Sequence, residues 1–217
     1  MILVCGEALI DLFVGAAEGT AMPARAVAGG SPFNVAIGLA RLGVKAAFLA
    51  SISRDRFGAL LAGILVREGV DDRFLVRTDR LSTISMVATD DNGQPSYAFH
   101  GERGGSLVRA HQSAAELPPD VQALTFGSYT MAVEPVGSAF DALAERECGR
   151  RVTSVDPNLR RPWSATWSAG RRRPSASTGP RPSSRPATRM CAPPGAAACR
   201  SRKPPSIGSI AARAWWW

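Results

Sequence analysis

Gly29-Gly30-Ser31-Pro32-Phe33-Asn34-Val35-Ala36, with Gly43 about two helical turns further on, is the stretch that decides the fold. Two glycines let a backbone approach a ligand without Cβ obstruction. Ser31-Pro32 opens a helical pattern carrying Val35, Ile37, Leu39 and Leu42, and Gly43 closes it. Serine at the cap, proline in the first turn and glycine past the end follow the usual asymmetry of helix ends. A helix N-terminus offers free N–H groups to polar ligand atoms, and Asn34 on its first turn can both donate to and accept from a hydroxyl. On local chemistry alone the segment reads first as a plain loop entering a helix, since Gly-Gly loops are common.

Outward from this segment, residues 1–160 alternate strand-like and helix-like stretches. Ile2–Val4, Ala46–Ile52, Val121–Phe126 and Val152–Val155 are short apolar runs expected to be buried strands. Phe57–Glu68 places Leu60, Leu61, Ile64 and Leu65 on one face and stops at Gly69, and Val136–Glu147 is a further helix. Ile84–Ala88 and Ser96–Phe99 flank Asp91-Asn92-Gly93, a strong hairpin turn. The alternation predicts an α/β domain with a mainly parallel sheet and one inserted hairpin. Asp11 is expected just after the first strand, where such sheets put their ligand crevice, and a carboxylate there can accept two hydroxyls or simply cap a turn.

Together these residues resemble the ribokinase-like (PfkB) carbohydrate kinases. Gly29-Gly30 through Asn34 to Gly43 matches the family's first signature, and Ser53-Arg54-Asp55-Arg56-Phe57-Gly58 continues it with serine at the usual glycine position. Gly6-Glu7-Ala8-Leu9-Ile10-Asp11 is similar to the family's first strand and sugar-binding aspartate. The hairpin at 82–101 fits its β lid, and Asp156-Pro157-Asn158-Leu159-Arg160 its D-x-N-x-R segment. The resemblance implies a three-layer α/β/α domain with a small β lid. It implies Asp11, Gly29, Gly30 and Asn34 as sugar contacts, Phe99 packing on the sugar's apolar face, and Arg160 near the phosphate or the sugar's far end. The Pro32-Phe33-Asn34 wording and the Ser96-to-Gly101 lid look most like bacterial fructokinases; kinases of 2-keto-3-deoxygluconate or other sugars are the alternative. ATP and Mg²⁺ are the implied cofactors, and the family's habit of pairing through its lids allows a homodimer.

The chain has 217 residues, 45% of them hydrophobic, and a net charge of +8. The charge is unevenly placed. Residues 1–160 hold 15 Lys and Arg and all 18 acids, whereas residues 161–217 hold 11 Lys and Arg and no acid. The latter segment also has nine Pro, nine Ser, all five Trp, and no Leu, Val or Phe, a composition unable to bury a core. It contains no G-A-G-D run, the segment that carries the family's catalytic base, so the domain is expected to be truncated before the ATP-binding half and inactive or nearly so. Such a tail reads as a disordered linker, as a nucleic-acid arm using Arg171-Arg172-Arg173 and the tryptophans, or as an out-of-frame product of G+C-rich DNA. The last reading is preferred here, with nucleic acid not expected as a partner. In the shifted frame Ala214 and the three terminal tryptophans permit Leu-Val-Val, a family-like strand. A non-catalytic sugar-binding remnant with a basic arm is the rival from another class. The apolar start interrupted by Glu7 and Asp11 lacks a signal peptide's features, no apolar run is long enough for a membrane, and a cytoplasmic location is expected. Cys5, Cys148, Cys191 and Cys199 form no CxxC pair and are expected to be isolated thiols, with no metal site.

Overall fold

The computed structural model describes residues 1–89, 95–101 and 116–156, and two sheets organise them. The larger contains β1 (Ile2–Cys5), β4 (Ala46–Ser53), β5 (Leu75–Thr78), β8 (Ala123–Gly127) and β9 (Val152–Asp156) in the order β5-β4-β1-β8-β9. Every pairing in it is parallel. The smaller joins β2 (Leu9–Val14), β3 (Ala24–Gly29), β6 (Ile84–Thr89) and β7 (Pro95–His100) in the order β3-β2-β6-β7. The chain leaves the large sheet twice for the small one, after β1 and after β5.

Side-chain alternation along the strands splits the apolar residues into two cores, one on each face of the large sheet. Val4, Phe48, Ala50 and Ile52 point to α1 (Ser31–Arg41) and α2 (Arg56–Arg67), where they meet Phe33, Ala36, Ile37, Leu61 and Leu65. Leu3, Cys5, Ala47, Leu49, Leu124 and Phe126 point to α3 (Val136–Glu147) and its Val136, Phe140 and Leu143. All eight residues of β4 are therefore buried, as expected of a parallel strand covered on both faces. The result is the three-layer α/β/α arrangement with a separate β lid.

Several expectations need correction. Asp11 does not follow the first strand; it lies inside β2, paired with Val27 of β3 and Ser85 of β6. The hairpin over 82–101 is present as β6 and β7, but the lid also contains β2 and β3, whose half-exposed residues give no clean alternation. β5 was likewise not marked by the pattern. Gly30, not Ser31, caps α1. It has φ +110°, and a Cβ there would stand 2.7 Å from the Glu7 carbonyl oxygen, so glycine alone suits the position. The buried stripe of α1 is Pro32, Phe33, Ala36 and Ile37, while Val35 and Leu42 are exposed. In α2 Leu61 and Leu65 are buried and Leu60 is exposed.

The lid is tied to the body at its root. Asp55, the N-cap of α2, accepts from Gly58 N–H at 2.7 Å and also from the N–H and hydroxyl of Ser82 at 2.7 and 2.8 Å, two residues before β6. At the far end of the sheet the Arg151 guanidinium ties the chain entering β8 to the end of α3. It donates to the carbonyls of Val121 and Leu117 at 2.7 and 3.1 Å and pairs with the buried Glu147. Among the described residues no helix is long and apolar enough to cross a membrane, and Cys5 and Cys148 are free thiols. Pro157–Arg160, and with them the proposed Arg160 contact and the basic tail, lie outside the described residues.

Candidate functional site

The sheet order runs outward from β1 in both directions, to β4 and β5 on one side and to β8 and β9 on the other. Where two neighbouring connections diverge in this way, loops at the carboxyl ends of the strands part and leave a crevice. A cleft of about 520 Å³ occupies that place, within the range of small-molecule sites. Its floor comes from the loops after β1 and β8, its wall from the first turn of α1, and its roof from the lid.

Strand register builds the roof. Asp11, Ser85 and Phe99 are directly paired across β2, β6 and β7, and Phe13, Val87 and Tyr97 form the next such row. Both rows face the cleft. A carboxylate and a hydroxyl thus stand beside an aromatic ring, a pattern that suits a molecule with polar edges and an apolar face. Phe99 reaches the floor, its ring centroid 5.6 Å from that of Tyr129.

The wall holds Gly30, Ser31 and Asn34. Asn34 gives its backbone N–H to the Gly30 carbonyl at 3.0 Å, which starts the helix and leaves its exposed side chain toward the cleft. Gly29 plays a different part from the one expected. It does not line the cleft; a Cβ there would fall 2.1 Å from Asp11 Oδ2, so its lack of a side chain makes room for that carboxylate. Gly6 similarly admits Pro32, whose ring would meet a Cβ at 2.1 Å, and so lets α1 press against the β1–β2 turn.

The floor contains residues that the sequence reading missed. Glu7 is only 1% exposed, and the Thr130 hydroxyl donates to its Oε2 at 3.1 Å. Burial pushes its carboxyl up to about 7, outweighing hydrogen bonds from Ser128 and Thr130. Ser128 and Tyr129 complete the floor. The available signals were an acid inside an otherwise apolar N-terminus and the Phe126-Gly127-Ser128 turn at the end of a buried strand. The structure therefore brings together Asp11, Gly30, Asn34 and Phe99 around one cleft.

An α/β domain with its cleft at the divergence of the sheet, roofed by a separate β lid, defines a small-molecule-binding domain of the ribokinase-like class. The chain belongs to the pfkB family of carbohydrate kinases, whose model matches residues 1–170. It is 39% identical over 160 residues to a fructokinase of Rhizobium leguminosarum bv. trifolii, covering 74% of this chain and 49% of that protein. It is 34% identical over 170 residues to a probable fructokinase-3 of Arabidopsis thaliana, covering 75% and 49%. The fructokinase crystal structure from Xylella fastidiosa aligns with a TM-score of 0.65 at 26% identity, covering 75% of this chain and 51% of that one. The chain spans about half the length of the curated relatives it matches.

Proposed function

We propose that the cleft binds the sugar acceptor of an ATP-dependent carbohydrate kinase, and that the sugar is fructose. The observation that carries this reading is the convergence of Asp11 and Phe99 of the lid with Gly30 and Asn34 at the start of α1 around one cleft. Asp11 would accept from ligand hydroxyls, Asn34 would exchange donors and acceptors with another, and Phe99 would cover the apolar face and exclude water. The names of the relatives support fructose, and one Xylella fastidiosa fructokinase structure is described with bound ATP, at a TM-score of 0.63 and 26% identity, covering 73% of this chain and 52% of that one.

Among the described residues the cleft carries two carboxyl groups, Glu7 and Asp11, and no Lys or Arg. That donor set suits a neutral polyol. It fits neither a triphosphate, which needs positive charge or an array of N–H donors, nor a sugar acid such as 2-keto-3-deoxygluconate. No group of three or more His, Cys, Asp or Glu among the described residues could hold a metal. ATP and Mg²⁺, implied by the family, are thus not accommodated by the described cleft. We further propose that the chain binds sugar without turning over ATP, and that residues 1–160 form the sugar-binding unit with 161–217 outside it. Differential scanning fluorimetry with fructose, other ketoses and aldoses, and 2-keto-3-deoxygluconate tests the substrate class. Stabilisation by fructose alone or most strongly is expected; stabilisation by the sugar acid instead would overturn the assignment.

A further inference from the structure

Ser128 is the one non-glycine residue at positive φ among the described residues, with φ 67° and ψ −163°. That combination is essentially reserved for glycine, and a side chain there carries strain. Glycine at this position would remove the strain, so what serine adds must lie in its hydroxyl. The residue is 8% exposed, lines the floor of the cleft and hydrogen-bonds through its side chain to the buried Glu7. Its N–H is held by the Asp156 carbonyl at 3.2 Å, which fixes the turn from the neighbouring strand. The next residue, Tyr129, is the one that meets Phe99 of the lid.

We propose that Ser128 is a ligand-contacting, specificity-determining residue whose hydroxyl bonds a hydroxyl of the bound sugar, and that Glu7 is the positioning residue that sets the direction of that hydroxyl. The inference rests on the sugar-binding reading above and assigns one of its contacts. Geometry supports the division of roles. Glu7 joins the β1–β2 turn to the β8 turn through Ser128 and Thr130, so it holds the turn that brings Ser128 and Tyr129 to the floor. No charged residue hydrogen-bonds to it. The other titratable and polar groups lining the same cleft are Asp11, Ser85 and Tyr97 of the lid, Ser31 and Asn34 of α1, and Tyr129 beside Ser128. A carboxyl that titrates near neutrality changes from donor and acceptor to acceptor alone, and the Ser128 hydroxyl must reorient with it.

The test uses the full chain, with fructose titrated calorimetrically between pH 6 and 8.5 into the wild type, Ser128→Ala, Ser128→Gly and Glu7→Gln, and urea unfolding of each. Alanine and glycine both lack the hydroxyl, but only glycine relieves the backbone. About tenfold weaker fructose binding is expected for both, with Ser128→Gly more resistant to urea than Ser128→Ala. Glu7→Gln should weaken binding less and remove the change in affinity through pH about 7 that the wild type shows. Unaltered fructose affinity in Ser128→Gly overturns this inference and leaves the sugar-binding reading standing. A wild type that binds none of the sugars overturns both.

Discussion

Replacing Glu7 by glutamine should change how the stability of this protein depends on pH. The carboxyl is buried and titrates at about 7 instead of 4.5. Each unit of displacement corresponds to about 1.4 kcal/mol. The folded state binds a proton that the unfolded state has released between these two values, so stability falls as pH rises from about 4.5 to about 7. The displacement corresponds to a loss of about 3 kcal/mol across that interval. This sign is opposite to that of a salt-linked carboxylate. Glu68 and Asp120, held below the usual range by hydrogen bonds from Arg41 and Arg73, contribute stability that is complete above pH 4.5 and lost below it. Asp55 behaves like them, because bonds from Ser82 and Gly58 outweigh the opposing effect of its burial. Among the described carboxyl groups with a displaced titration, Glu7 alone falls in the interval from 4.5 to 7. The assay is urea unfolding at half-unit steps from pH 4.5 to 8.5, for the wild type and Glu7→Gln. The difference between the two curves should shrink or reverse by about 3 kcal/mol as pH rises. Parallel curves would refute the reasoning and show Glu7 ionised in the fold.

Three further perturbations test other parts of the structure. Gly29→Ala places a Cβ against Asp11 Oδ2 and should weaken sugar binding about tenfold, yet cost nothing more in an Asp11→Ala background; a double-mutant cycle by calorimetry reads the coupling. Asp55→Ala removes both the cap of α2 and the anchor of the lid root, and should cost about 1–2 kcal/mol in urea unfolding while also loosening Ser82 in hydrogen exchange. Arg151→Ala removes one of the two arginines paired with the buried Glu147, together with the bonds to Val121 and Leu117, and should cost about 2–3 kcal/mol, whereas Arg41→Ala, which breaks a mainly exposed pair, should cost less than about 1 kcal/mol. Equal effects of the two arginine changes would contradict that contrast.

What the sequence made legible follows from burial. β1, β4, β8 and β9 are short apolar runs because the large sheet is covered on both faces, and α2 and α3 fall within one residue of their expected ends. The lid strands β2 and β3 were not legible. Ala24–Gly29 is largely exposed and carries an arginine between small residues, so no period-2 signal survives, and Leu9–Val14 looks like a continuation of the N-terminal apolar run. Asp11 was recognised through its motif but misplaced for the same reason, since only cross-strand register sets it beside Ser85 and Phe99. Gly29 shows how a motif residue can serve the site without lining it. For Glu7 and Ser128 the sequence offers only an acid in an apolar N-terminus and a turn after a buried strand; what joins them to the site is a backbone angle and a buried contact between turns about 120 residues apart, neither of which composition or spacing encodes.

The central claim is that Asp11, on the cleft-facing side of the lid strand β2, is the main polar anchor for a neutral sugar. Calorimetric titration of fructose into the wild-type chain and into Asp11→Ala, at one pH and with both proteins shown to unfold cooperatively, tests it most directly. Saturable 1:1 binding to the wild type, weakened at least tenfold in the variant, is the expected result. Equal binding to both, or heat only from dilution in both, would contradict it.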